Sequence, residues 1–390
     1  MAREVRVLQD QARDTTEQAG ETARQRSSHA LFEPVSFGSL SLSNRLVMAP
    51  MTRYFSPDGI PGEDVAAYYR RRAEAGCGLI ITEGTTVESP VAGGYMHVPH
   101  FWGPALGGWR RVVDEVHAAG GKIIPQLWHV GLQRDPAICP NPELTGVGPS
   151  GFNRRLERVT DPMSREDIAA TIDQFARAAA DAKALGFDGI QIHGAHGYLL
   201  DQFFWHKTND RDDDYGGSLE NRVRFGAELV AAVRAAVGPE FPLLLRISQW
   251  KGHDYNAKIA DTPEELARFL EPLAAAGVDI FDCSQRRFWE SEFEGSRLNL
   301  AGWVRKLTGL PTITVGSVSL NGDFIGSMIH AQSAAATGID ELLDRVEAGE
   351  FDLVALGRAL IADPEWPIKI RGGRYDEIRS FDPEMLKTLD

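Results

Sequence analysis

Residues 188–225, DGIQIHGAHGYLLDQFFWHKTNDRDDDYGGSLENRVRF, hold one complete unit of the fold. An apolar β-type run, 189–192, stops abruptly at His193. A short turn follows, carrying His196 and Tyr198 among Gly194 and Gly197, and a helical pattern opens at Leu219. A strand apolar on successive residues is one covered on both faces, as in a parallel sheet backed by helices. A cluster of hydrogen-bonding side chains at the end of such a strand reads as an active-site rim. Imidazoles donate to a developing oxyanion and a phenol can deliver a proton. The glycines let the backbone turn tightly and approach a ligand closely. Two blander readings stand beside this one: histidines satisfied in the structure, or a metal pair spaced i, i+3.

The same unit recurs along the chain. Strand candidates fall at 45–49, 78–82, 122–126, 189–193, 242–247, 278–282, 312–315 and 353–356. Helical patterns lie between them at 64–75, 108–119, 164–185, 219–237, 263–275 and 339–348. Start signals such as Thr262-Pro263-Glu264-Glu265 and a stop at Ala276-Gly277 punctuate them. Eight such units predict a single α/β domain, a (β/α)8 TIM barrel. A doubly wound sheet would need a glycine-rich first βα turn, and the chain has neither GxGxxG nor a Walker A sequence. Residues 133–162 and 285–297 are then long loops at the C-terminal rim, where barrels build their pockets.

Composition narrows the function. With 390 residues, 43% of them hydrophobic, the chain can bury a large core, and barrels exceed 250 residues as one unit. A formal net charge of −14 argues against nucleic acid or an anionic membrane as partner. No apolar run is long enough to span a bilayer. The three cysteines, Cys77, Cys139 and Cys283, form no CxxC and cannot supply a four-thiolate cluster, so a reducing cytoplasm fits best. Residues 1–30 lack aromatics and a signal-peptide core, and their acids oppose a transit peptide. They read as a disordered or loosely helical extension ahead of a barrel spanning 31–390. Such an extension leaves room for a homo-oligomer contact.

Polar residues recur at the strand ends. The first strand runs into Pro50-Met51-Thr52-Arg53, the second into Glu83-Gly84-Thr85 and the third into Gln126-Leu127-Trp128. The fifth carries Arg246 inside Leu243-Leu244-Leu245-Arg246-Ile247. The seventh leads to Gly316 and the eighth to Gly357-Arg358, the barrel position where glycine amides and a guanidinium hold a phosphate. A guanidinium among leucines needs an anionic partner, either a ligand or a core carboxylate. Gln126 offers a donor and an acceptor to a heterocycle edge, and Thr52 a hydroxyl to a carbonyl. A flat, phosphate-bearing heteroaromatic that gains negative charge would use all of these groups, which describes FMN.

On these residues the chain resembles the Old Yellow Enzyme family of FMN-dependent ene-reductases over about 31–367. The most specific stretches are 44–53, Thr82-Glu83-Gly84-Thr85, Gln126-Leu127-Trp128-His129, His193-Gly194-Ala195-His196-Gly197-Tyr198-Leu199, 214–222 and Gly357-Arg358 with Asp363-Pro364. The resemblance implies noncovalent FMN with NAD(P)H as transient reductant. It places Pro50 and Met51 along the flavin, Thr52 at its C4 carbonyl, Gly84 where the isoalloxazine approaches the backbone, and Gln126 and Arg246 at the pyrimidine edge. Gly316, Gly357 and Arg358 would hold the phosphate. His193 and His196 would bind the oxygen of an activated alkene, and Tyr198 would protonate its α-carbon. Tyr95, Trp128 and Phe288 would wall the pocket, and no metal is implied. Residues 214–222 are expected to shape the loop and helix after the fourth strand. Thr52 replaces a cysteine found in one branch of the family, and residues 285–296 and 317–337 have no residue match.

Overall fold

Eight parallel strands close on themselves. They are β3 (Leu46–Met48), β4 (Leu79–Thr86), β5 (Ile123–Trp128), β6 (Ile190–His196), β7 (Leu243–Lys251), β8 (Ile280–Ser284), β9 (Thr312–Val315) and β10 (Leu353–Leu356). β10 pairs with both β9 and β3 and so completes the barrel. This is the (β/α)8 TIM barrel, seen in a computed structural model that describes residues 30–328 and 330–390. The expected N-terminal extension, residues 1–30, lies outside the described residues except for Ala30.

Alternation along each strand sorts the core into two compartments. Outward residues such as Ile80, Ile190, Ile192, Leu243, Leu245 and Phe281 pack against the helices. Inward residues Val47, Leu79, Ile81, Ile124, Leu244, Ile280, Ile313 and Leu353 fill the N-terminal half of the interior. That end is closed by a hairpin the sequence reading did not anticipate, β1 (Val35–Phe37) and β2 (Leu40–Leu42). Its Leu40 and Leu42 join the interior cluster, with Val35 and Phe37 packed against it. Three-residue strands are too short to show a period.

The interior changes character toward the C-terminal ends. Along β7 the same inward alternation reads Leu244, Arg246, Ser248, along β8 Ile280, Asp282, Ser284, and along β5 Ile124, Gln126, Trp128. An apolar layer therefore gives way to a buried polar one, and that to the rim. Several strands run past the ends set by their apolar runs, β4 to Thr86, β6 to His196 and β7 to Lys251. Backbone pairing continues through polar residues, some lining the cavity (His193, His196) and others paired within the protein (Lys251 with Asp201), so His193 lies within its strand.

Helix starts follow the capping rules. Ser164, Ser218 and Thr262 each accept a backbone N–H of the first turn, and Ser164 with Asp167 forms a full capping box. The 214–222 segment shapes the entry to helix Leu219–Val237. Arg222 donates to the Phe204 and Gly217 carbonyls, and the Tyr215 hydroxyl donates to Glu228. No helix among the described residues is long and apolar enough to cross a membrane.

Candidate active site

One cavity of about 460 Å³ occupies the C-terminal mouth of the barrel. Pro50, Met51, Thr52, Gly84, Tyr95, Gln126, Trp128, His193, His196, Tyr198, Arg246, Gly316, Gly357 and Arg358 all line it. Residues from most of the chain's length thus converge as the barrel dictates. Phe288 does not join them. Its N–H donates to the Gly316 carbonyl (3.0 Å), its own carbonyl accepts from Asn299 Nδ2 (2.8 Å), and its ring meets Trp289 edge-on in the outer core. The loop after β8 folds back across the end of β9, which turns this side chain away from the cavity. An unforeseen aromatic, Trp250 near the end of β7, lines the cavity and stacks on His196 at 4.4 Å.

The turn after β6 carries the reactive cluster. His196 has φ +65 and Gly197 φ +84, left-handed conformations that swing the chain over the mouth. The strain at His196 is held by three contacts. Its N–H donates to Ser248 Oγ (3.0 Å), its carbonyl accepts from the Gly252 N–H (3.1 Å), and Trp250 covers its ring. The Gly197 N–H donates to Asp201 Oδ2 (2.6 Å), whose other oxygen pairs with Lys251 Nζ (2.6 Å); both side chains are fully buried. Tyr198 precedes helix Leu199–Phe204 and sits edge-on to both His193 and Trp128, each at 4.9 Å.

The electrostatics leave both histidines neutral. Burial first, then nearby cations, holds His193 and His196 well below the ordinary imidazole range. The Ala195 N–H donates to His193 Nδ1 (3.2 Å), so that ring carries its proton on Nε2 as a donor. His196 Nε2 hydrogen-bonds Ser284 Oγ at 2.7 Å. Burial pushes the Tyr198 phenol well above its ordinary value, aided by the neighbouring Tyr95 and Tyr54. It is therefore a proton donor at neutral pH. Among the described residues, no three His, Cys, Asp or Glu side chains gather as a metal site.

Beneath the rim, Arg246 has a carboxylate after all. Asp282 Oδ2 lies 3.3 Å from Nη1, and Ser284 Oγ accepts from Nη2 at 3.5 Å. Its Nε and Nη1 nonetheless lack a hydrogen-bond acceptor while buried. Gln126 Nε2 donates to Gln191 Oε1 (2.7 Å), and Gln191 Nε2 donates to Asp282 Oδ2 (2.9 Å). Gly84 lines the cavity, and a Cβ there would stand 2.6 Å from Trp128 Cε3. The missing side chain makes room for the indole wall. The backbone beside it is pinned by Glu83, whose Oε2 accepts from the Arg53 N–H (2.9 Å) and whose acid burial pushes up to about 7.

At the other end, Arg358 Nη1 donates to the Asp323 carbonyl (2.7 Å) and Ser327 Oγ (2.5 Å), and Nη2 to the Gly322 carbonyl (2.7 Å). It thereby folds the segment after β9, which had no residue match, around Gly316 and Ser317. Burial draws the guanidinium down to about 10, which leaves it charged at neutral pH.

Fold and site together define a (β/α)8 barrel with a buried polar cavity at its C-terminal mouth. The chain matches the NADH:flavin oxidoreductase / NADH oxidase family over residues 30–377 and belongs to it; this is the Old Yellow Enzyme family. It is 34% identical to 12-oxophytodienoate reductase 7 of Oryza sativa subsp. japonica, over 86% of each chain. It is 35% identical to NADH oxidase of Thermoanaerobacter brockii over 90% of its own length, but spans only 52% of that relative. A structure of morphinone reductase in complex with tetrahydroNAD superposes with TM-score 0.75 at 30% identity, over 91% of this chain and 93% of that one. Membership makes FMN the cofactor that the site has to accommodate.

Proposed function

We propose that this chain is an NAD(P)H-dependent ene-reductase acting on alkenes conjugated to an electron-withdrawing group: enones, enals, maleimides or nitroalkenes. The observation that carries the reading is the convergence on one cavity of a neutral imidazole pair, a protonated phenol and an under-satisfied buried guanidinium. The residues fit FMN. Arg246 retains buried N–H donors with no acceptor, Gln126 and Thr52 border the same space, and Gly316, Gly357 and the charged Arg358 guanidinium line it at the adjoining strand ends, where a phosphate would sit. When FMN is bound there, it would supply hydride transfer between NAD(P)H and the β-carbon of the alkene, with Arg246 and Gln126 holding its pyrimidine edge.

The protein's own part is positioning, polarisation and proton delivery. His193 donates from Nε2 to the substrate oxygen, with His196 beside it. Because both are neutral, they draw electron density from the conjugated system without holding a bound anion too tightly to release. Tyr198 gives its hydroxyl proton to the α-carbon and recovers one through Tyr95 or solvent. Trp128, Tyr95 and Trp250 wall the pocket and hold a flat substrate. Three buried, unpaired cysteines agree with a cytoplasmic setting.

The test is direct. Heat-denatured protein should release a yellow chromophore with the mass of FMN, and the anaerobic holoenzyme should reduce members of a small enone, maleimide and nitroalkene panel with NADH or NADPH. Release of FAD, a colourless protein that cannot be reconstituted, or a stoichiometric metal with chelator-sensitive activity would overturn the reading.

A further inference from the structure

Three of the four residues in the buried polar layer follow one another in a hydrogen-bonded line, and Asp282 stands at its junction. It is 0% exposed, on the inward face of β8, and its Oδ2 receives both Gln191 Nε2 (2.9 Å) and the approach of Arg246 Nη1 (3.3 Å). Gln191 in turn receives Gln126 Nε2 (2.7 Å). Gln126 and Arg246 line the cavity, whereas Gln191 and Asp282 lie below it. The other carboxylate oxygen, Asp282 Oδ1, is buried without a hydrogen-bond partner. An isolated buried carboxylate is costly, and its retention here is explained by a charge facing it.

We propose that Asp282 is a positioning residue that orients Arg246 directly and Gln126 through Gln191, and that its negative charge offsets part of the Arg246 charge and so lowers the reduction potential of the flavin. The inference rests on the flavin reading above. A carboxylate behind the guanidinium reduces the net positive field at the cavity floor, where a reduced flavin accumulates negative charge. The hydrogen-bonded line fixes the orientation of the Gln126 amide, because Nε2 is committed to Gln191 and the carbonyl oxygen is left for a ligand N–H.

The experiment uses holoenzyme reconstituted with FMN and three readouts: FMN affinity, the two-electron midpoint potential, and affinity for sulfite, an anion probe of oxidised flavin. Asp282→Asn keeps the shape and removes the charge. It should favour flavin reduction about tenfold, equivalent to about 30 mV for a two-electron couple, and tighten sulfite binding in parallel. Adding Gln191→Glu to that variant returns one carboxylate to the same line and should bring both values back toward wild type, a rescue that a purely structural role would not produce. If Asp282→Asn does not fold, the double variant compared with wild type decides. A potential near wild type supports the proposal, and a raised one overturns it. An unchanged or lowered potential in folded, FMN-saturated Asp282→Asn also overturns it. Wild-type protein that takes up no FMN defeats the parent reading instead.

Discussion

Tyr198 is the residue whose role separates the two halves of a turnover. Its phenol is held protonated by burial, and hydride transfer from NAD(P)H needs no proton at an α-carbon. Tyr198→Phe should therefore leave reduction by NAD(P)H nearly unchanged and slow alkene reduction by about 10²–10⁴-fold, as for other positioned acids. Stopped-flow measurement of each half separately decides it, and equal slowing of both would remove Tyr198 from the role. The histidines have their own signature. A phenolate seated on His193 and His196 should stack on oxidised flavin and give a long-wavelength charge-transfer band, which His193→Ala with His196→Ala should abolish. A band that survives the double change would place the anion elsewhere. At this scale the sequence was most legible where a polar residue interrupts an apolar run, as at His193 and Arg246. Gln191 and Asp282 sit two positions from those landmarks or from an inward Ile280, so alternation could have marked them. Phe288 had only its aromatic character to place it, and long loops carry no period that orients a side chain.

The turn after β6 works as an element because another strand braces it. Asp201 and Lys251 form a fully buried pair, and Asp201 also takes the Gly197 N–H. Breaking such a pair from one side strands a charge, at about 3–5 kcal/mol. Lys251→Met should lower the unfolding free energy by that order, measured in denaturant. Lys251→Met with Asp201→Asn should recover part of it, since no buried charge is left unpaired; a strictly additive loss would show that the pair is not coupled. The element boundaries explain what the sequence hid. Apolar runs end where side chains turn toward the cavity, yet the β7 ladder continues to Lys251. The residues that brace the turn, Ser248, Trp250 and Lys251, therefore lay in what read as a loop. The β1–β2 hairpin escaped for a different reason, because its inward leucines gain their meaning only once the barrel exists to be closed.

For the whole molecule, burying titratable groups to build a dry cavity ties stability to pH. His129 is buried with its Nδ1 accepting from the Gly131 N–H, and burial lowers it to about 3. His193 and His196 are depressed for the same cause. An unfolded histidine takes a proton near pH 6.5, so below that value the unfolded chain binds more protons than the native one. Each group's stabilisation is then present above pH 6.5 and lost as the pH falls, by about 1.4 kcal/mol per pH unit. Glu83 acts in the opposite direction. Raised from 4.5 to about 7, it binds its proton more tightly in the folded state, so its contribution is lost as the pH rises through that window. Among these four groups three histidines outweigh one glutamate, and their combined contribution is acid destabilisation between pH 6.5 and 5. His129→Gln should flatten that slope and Glu83→Gln should steepen it, read as urea unfolding free energies of the apoprotein at pH 5, 6 and 7. Parallel curves for wild type and His129→Gln would mean that His129 protonates in the native state, and that the rim is wetter than its burial implies.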